Sequence, residues 1–273
     1  MPITRRAALK GFLATTVGAV TGGSVYGAGY ERHHLEVTHT RLPVQGLPEG
    51  FDGLRIALLT DIHHSGLVPA EDVAHAVDLA NAQRPDLVIL GGDYVTRGDR
   101  AYMDPVADLL APLHAPLGVY AIVGNHDDER AMPAALERRH IAVLLNDRTT
   151  IARHGDRLDL VGIRFWEREA AVMAGLVRGA QAPVLLLAHD PRRLSPASRL
   201  GVPAMLSGHT HGGQIVVPGI GPVAARKFPV VAGSGSMGNT SIYVSRGIGT
   251  VYLPVRINCP PEVAMVTLAR QLR

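Results

Sequence analysis

The sequence predicts an α/β fold with a metal-binding edge, and three observations carry that expectation. Short apolar runs alternate with polar or glycine-containing turns and with stretches of helical spacing. Five of those runs end in residues able to bind a metal: Asp61 with His63, Asp93, Asn125, His189, and His209 with His211. The last pair lies in Ser207-Gly208-His209-Thr210-His211-Gly212-Gly213-Gln214, a glycine-rich turn with two imidazoles one residue apart. In an extended segment those rings project to the same side and converge on one point.

The elements follow in order from residue 54. Leu54 to Leu59 reads as a strand that delivers Asp61, His63 and His64. Pro69 opens a helix whose Val73, Ala76, Val77 and Ala80 share one face, with Glu71 and Asp72 in its first turn. Pro85 ends it. Asp86 to Leu90 is a continuous apolar strand of the buried kind, followed by Gly91-Gly92-Asp93. A helical stretch around Val106 to Leu113 leads to a third strand, Val119 to Val123, tipped by Gly124-Asn125-His126-Asp127. A helix near Pro133 to Arg139 and alternating segments around 141–145 and 158–163 suggest a crossover into a second sheet, and 167–177 reads as helix. Val184 to Ala188 delivers His189-Asp190-Pro191, and Val202 to Leu206 delivers the histidine turn. Gly233-Ser234-Gly235-Ser236 reads as a flexible connection, and 256–268 as strands at a sheet edge.

Composition bounds the rest. With 273 residues, 47% apolar and 19% charged, the chain can bury a full core, and no low-complexity linker divides it after residue 30. A net charge of +3 without a basic run gives no case for nucleic acid, although the positive charge is nearly all arginine, a residue suited to bidentate phosphate contact. Cys259 is the only cysteine, so no intramolecular disulfide forms; its setting reads as that of a small buried hydrophobe.

Residues 1–29 read as an address. Arg5-Arg6 stands ahead of a charge-free run rich in Gly, Ala and Thr, which resembles a twin-arginine export signal, with Ala8-Leu9 where Phe-Leu often follows the arginines. The run from Gly11 to Tyr30 is also near the length that spans a bilayer, so the segment is expected to be either a cleaved signal or a membrane tether. Residues 30–49 are then a linker and first strand, and 50–273 the main domain. The expected partners are the twin-arginine export machinery and the membrane, and the expected place is the periplasm or the outer side of the cytoplasmic membrane.

In α/β sheets ligands collect outside the carboxyl ends of the strands, so the seven candidate ligands should share one edge. Imidazole and carboxylate suit zinc, iron or manganese. Seven ligands are too many for one catalytic ion with an open position, whereas two divalent ions sharing a carboxylate can clamp both oxygens of a displacement at phosphorus.

With these motifs in order, Asp61-x-His63, Gly92-Asp93, Gly124-Asn125-His126-Asp127, His189 and Gly208-His209-x-His211, the chain resembles the calcineurin-like metallophosphoesterase superfamily across most of residues 50–268. Ser245 to Gly249 and Asn258 to Glu262 look like its bacterial branch of exported or membrane-attached phosphodiesterases. The resemblance implies two mixed β-sheets packed as a sandwich flanked by helices. It implies Asp61, His63 and His211 on one ion, Asn125, His189 and His209 on the other, and Asp93 between them. It leaves His126 free to protonate the departing oxygen, for which imidazole has a suitable pKa. Asp127 is expected either to orient that imidazole or to cap the following helix. The activity implied is hydrolysis of a phosphate ester, as a phosphodiesterase or pyrophosphatase on an envelope lipid or polymer. Its rivals are a protein or nucleotide phosphatase using the same metals and a non-catalytic scaffold of the same fold. Arg164, Arg168, Arg192 and Arg193 follow strand ends near this edge, either holding an anionic substrate or simply solvated; Trp166 is expected in the core or at a sheet edge, with a substrate-facing place as the alternative.

Overall fold

The computed structural model describes residues 21–271. Two six-stranded sheets lie face to face. The first has the order β1(Glu36–Gln45), β14(Glu262–Gln271), β2(Arg55–Leu59), β3(Leu87–Leu90), β4(Val119–Ala121), β5(Ala142–Val143); the second β12(Gly233–Met237), β13(Thr240–Val244), β9(Ala204–Ser207), β8(Val184–Ala188), β7(Asp156–Ile163), β6(Asp147–Arg153). β10(Val216–Val217) and β11(Gly221–Pro222) form a small separate hairpin.

Alternation along each strand explains the layering. Ile56 and Leu58 turn inward, where they join Leu185, Leu187 and Leu206 of the other sheet in one buried cluster. Ala57 and Leu59 turn outward under the helices Ala70–Ala82, Met103–Leu110 and Ala131–Glu137, through residues such as Val73, Val77, Leu110 and Leu136. On the far side Leu186 and Met205 pack under Ala170–Arg178 and Leu194–Arg199, through Met173, Leu194 and Ala197. Strands buried on both faces read as unbroken apolar runs, and sheets covered by helices require them. The fold is therefore the helix-flanked sandwich of two mixed sheets that the family resemblance implies.

Strands β2, β3 and β4 run parallel in one sheet, and β7, β8, β9 and β13 in the other. Their carboxyl ends deliver Asp61, Asp93 and Asn125 from the first sheet and His189 and His209 from the second. Two expectations are corrected here. The carboxyl-terminal strand β14 is interior, between β1 and β2, because β1 pairs with it in parallel along ten residues and covers it. The Gly-Ser run is β12, antiparallel to β13, where Gly235 lets Val230 lie against the strand.

Residues 21–29 are helical and rest on the loop at 255–257, with Arg256 N–H donating to Gly27 carbonyl. Among the described residues no helix is long and apolar enough to cross a membrane. Arg5, Arg6 and most of the proposed signal or tether lie outside the described residues.

Candidate metal centre

The loops at the shared edge leave their strands by left-handed turns. φ is positive at Asp61 (51°), His63 (51°), Asp93 (58°), His209 (74°) and His211 (52°). Such backbone is uncommon outside glycine and gathers at functional sites. It also corrects the expectation for the histidine pair. His209 does not continue an extended segment; the chain coils into a 3-10 turn at His211–Gly213, and the two rings reach different partners. Asp61, His63 and His211 each bring a donor atom within 4.8 Å of the others, and Asp93, His189 and His209 form a second such group.

Asp93 stands between the groups. Its Oδ2 lies 3.1 Å from His189 Nε2 and 3.6 Å from His63 Nε2, while Oδ1 accepts a hydrogen bond from the His126 backbone N–H at 2.8 Å. Asp61 Oδ1 is 3.3 Å from His211 Nε2, and the carboxylate accepts from the backbone N–H of His209 and the hydroxyl of Thr60. The closeness of these loops depends on glycine: a Cβ at Gly208 would strike Thr60 and Asp61, and one at Gly124 would strike Asp93. Asn125 presents a buried side-chain oxygen that no hydrogen bond satisfies.

Hydrogen bonds set the ring tautomers, and they set them oppositely at two histidines. His189 Nδ1 lies 2.7 Å from the Gly91 carbonyl, which can only accept, so Nδ1 carries the hydrogen and Nε2 keeps a lone pair when the ring is neutral. That Nε2 makes no aligned hydrogen bond despite its 3.1 Å approach to Asp93. His126 is the reverse: its Nδ1 accepts from the Arg97 N–H at 3.0 Å, so a neutral ring holds its hydrogen on Nε2. The first ring can ligate through Nε2, and the second presents its N–H at Nε2.

The electrostatics ask for a cation. Burial pushes the Asp61 carboxyl up to about 6 against the pull of His189. Burial also works to raise Asp93, but the adjacent charge on His189 outweighs it and holds Asp93 below the usual carboxylate range. Burial opposes the proton on His189, yet Asp93 and Asp61 hold its pKa at about 10. The same burial lowers His63 and His209 to about 4 and pushes His211 well down, so these three imidazoles are neutral and free to ligate. Two desolvated carboxylates among neutral imidazoles, an unpaired amide oxygen and an unpaired Nε2 fit hard or borderline divalent cations.

Several sequence expectations end elsewhere. Asp127 neither touches the His126 ring nor caps the helix. Its carboxylate accepts from the backbone N–H groups of Asp93, Tyr94 and Gly124, each at 2.8 Å, and so ties the β3 and β4 loops together. Burial and the nearby Asp93 raise it to about 7. The residue receiving the N–H groups at the helix start is Asp128. Arg193 is spent on the carbonyls of Phe165 and Glu167, Arg192 pairs with Asp190 at 2.6 Å, and Arg164 lies 3.9 Å from Glu129. His64, expected as a structural or supporting residue on the opposite side of its segment, bonds the Val68 carbonyl. Trp166 is exposed, and its neighbour Phe165 packs against His189 and His209. Phe228 lies edge-on to His209, and Tyr252 stands 6.1 Å from the His126 ring. The position of Phe165 just past β7 is the one signal that reading strand ends could have used; Phe228 and Tyr252 leave none.

Comparison with known proteins agrees with this geometry. Residues 54–213 match the family described as calcineurin-like phosphoesterase. The chain is 34% identical to a phosphodiesterase, YaeI, of Escherichia coli K12, over 97% of this chain and 99% of that one. It is 33% identical to an uncharacterized metallophosphoesterase, YkuE, of Bacillus subtilis 168, over 97% and 98%. Among solved structures, the sulfate thiohydrolase SoxB of Thermus thermophilus superposes with a TM-score of 0.50 at 14% identity, covering 74% of this chain and 53% of that one. This last likeness concerns the fold alone.

Proposed function

The chain belongs to the calcineurin-like phosphoesterase family and is a metal-dependent phosphoesterase; from that premise we propose that it hydrolyses phosphodiester or pyrophosphate linkages in a lipid or polymer of the cell envelope. The observation that carries the mechanism is the opposed tautomers of His189 and His126. Asp61, His63 and His211 would hold one divalent ion, Asn125, His189 and His209 the other, and Asp93 Oδ2 sits where it can serve both. Bound there, the ions supply positive charge for the phosphoryl oxygens and bring the pKa of water toward neutrality.

The chain's own residues do the rest. Asp93 and Asp61, anchored by backbone N–H groups, fix the ligand cluster without freedom to relax. As the imidazolium, protonated on Nδ1 as well with the Arg97 N–H contact given up, His126 passes its Nε2 hydrogen to the departing oxygen, which leaves as an alcohol rather than an alkoxide while the ring becomes neutral. Replacing His126 by Ala tests this role. Turnover of an alkyl phosphodiester should fall roughly 100-fold, with much less loss for a nitrophenyl ester, whose leaving group needs no acid, and with metal content preserved. An equal loss for both esters would remove His126 from the proton-donor role.

Two things support the diester class and its place: the phosphodiesterase name of the E. coli relative, and Arg5-Arg6 ahead of a glycine-rich run. An enzyme delivered through the twin-arginine machinery meets lipid head groups and wall polymers, whose phosphates are largely diesters. Changing both arginines to lysine should retain the protein inside the cell when fractions are assayed. Turnover of phosphoserine peptides with none of lipid or wall substrates would favour the protein-phosphatase alternative.

A further inference from the structure

The metal edge opens on two unlike hollows. Beyond His63 and His126 lies an open one of about 730 Å³ that carries Ser65, Thr96, Arg97 and Asp99 beside Leu67 and Tyr102. Beyond His209 and His211 lies a groove of about 440 Å³, a size usual for small-molecule sites. Its walls are apolar: Val223 and Phe228 from one loop, Val251, Tyr252 and Leu253 from another. Val223, Tyr252 and Leu253 are 60%, 67% and 59% exposed. Scattered exposed apolar residues need no explanation, but a cluster lining one groove beside a reaction centre does.

The groove is built rather than incidental. Gln214, next to the histidine turn, donates from Nε2 to the carbonyls of Leu253 (2.8 Å) and Val255 (3.0 Å) and accepts from the Val251 N–H (3.1 Å). The wall is thereby bonded to the loop that carries two candidate ligands. At its other end the buried Arg256 guanidinium donates to the carbonyls of Arg246, Gly247, Gly249 and Cys259. Cations stand at the aromatic rim: Arg192 lies over Phe228 at 5.2 Å, Lys227 at 5.6 Å, and Arg97 over Tyr252 at 5.5 Å. His209 and His211 are among the residues that line this groove, so an apolar part held in it must be joined closely to the phosphate.

We propose that the groove is a subsite for an alkyl or acyl chain of the substrate, which makes the substrate an amphiphilic phosphodiester with its chain beside His209 and its polar arm toward Thr96 and Arg97. The assignment rests on the phosphoesterase reading above and narrows it. A compact, fully charged phosphomonoester or a phosphoserine side chain has no use for such a wall.

The test uses the Mn²⁺-loaded full chain and p-nitrophenyl alkyl phosphodiesters with methyl, butyl or octyl chains, each below its critical micelle concentration. kcat/KM should rise up to about fourfold per added methylene until the groove is full, the factor equivalent to ~0.8 kcal/mol at 1.4 kcal/mol per tenfold. Leu253→Ser and Val223→Ser, both at exposed positions, should each cut the octyl-to-methyl ratio at least fivefold. Reading a ratio cancels any loss common to both esters. Calorimetric binding of octyl phosphate against methyl phosphate should show the same preference and the same loss, without turnover. A flat chain-length dependence, or a steep one that both variants leave untouched, overturns the subsite. Failure to hydrolyse even the methyl ester with metal bound would instead strike the phosphoesterase reading, and calorimetry would still decide the groove.

Discussion

The metal edge and the apolar groove share one turn, residues 209–214, yet they are held by opposite means. On the metal side five ligand-bearing positions adopt left-handed backbone, and the buried carboxylates of Asp61 and Asp93 are tied to the backbone of the His209 and His126 loops. On the groove side the walls are exposed loop residues, fastened chiefly by Gln214 and Arg256. The difference follows from what each side does. Chemistry at a metal needs donor atoms fixed against relaxation, and backbone strain of order 1–3 kcal/mol per position is offset by the packed sandwich beneath. Recognition of a chain needs only contact area, which a pinned loop supplies.

The largest expected effect comes from breaking the rigid side at its centre. Asp93→Ala removes the carboxylate that approaches both donor groups, so both should lose their ions together. Affinity should fall by more than ~100-fold, beyond the 10–100-fold usual for changes outside the ligand shell. Native mass spectrometry counts the ions and a diester assay reads the rate. Retention of two ions at full rate would break the claim that Asp93 joins the groups, and retention of one ion would restrict it to a single group.

The contrast also marks what could be read in advance. The unbroken apolar runs at 56–59, 87–90 and 184–188 were sufficient for strands covered on both faces, and the polar residue after each run placed the ligands on one edge. The interior position of β14 was not legible, because its cover, β1, alternates weakly and pairs with it across more than 200 residues. The splitting of His209 from His211 was not legible either, since positive φ at a histidine leaves no mark in residue type as it would at glycine. Asp127 sits beside the acid in sequence, yet its hydrogen bonds reach back 33 and 34 residues. The groove was the least visible part. Val223, Phe228, Tyr252 and Leu253 come from irregular loops, where no period connects one apolar residue to the next.

A middle-sized effect sharpens the electrostatic half of the comparison. His189 is protonated below about 10 in the metal-free protein because Asp93 and Asp61 overcome the burial that opposes its charge. Ligation needs the Nε2 lone pair, so uptake of metal at pH 7 must expel that proton, and apparent affinity should rise with pH, about tenfold per unit for each proton released. Titration calorimetry in two buffers of different ionisation enthalpy counts the proton. Uptake without proton release would mean that His189 is neutral beforehand or is not a ligand.

The smallest effect falls on the groove and tests how loosely it is held. Gln214 itself has positive φ, 60°, so alanine would add backbone strain to the loss of the side chain; asparagine tolerates that backbone and stays polar, but is one methylene too short to reach Leu253, Val251 and Val255. Gln214→Asn should therefore leave the ligand cluster loaded while freeing one end of the wall. Three hydrogen bonds at a partly solvated loop contribute on the order of 1–3 kcal/mol together, and Arg256 still clamps the far end, so the octyl-to-methyl ratio should fall only about two- to fivefold. Amide exchange at Val251 should quicken with it, since that N–H loses its acceptor. Faster exchange with an unchanged ratio would show that chain binding tolerates a mobile wall. If the variant loses metal instead, the two regions are mechanically one, and the contrast between a rigid centre and a pinned groove does not hold at their shared turn.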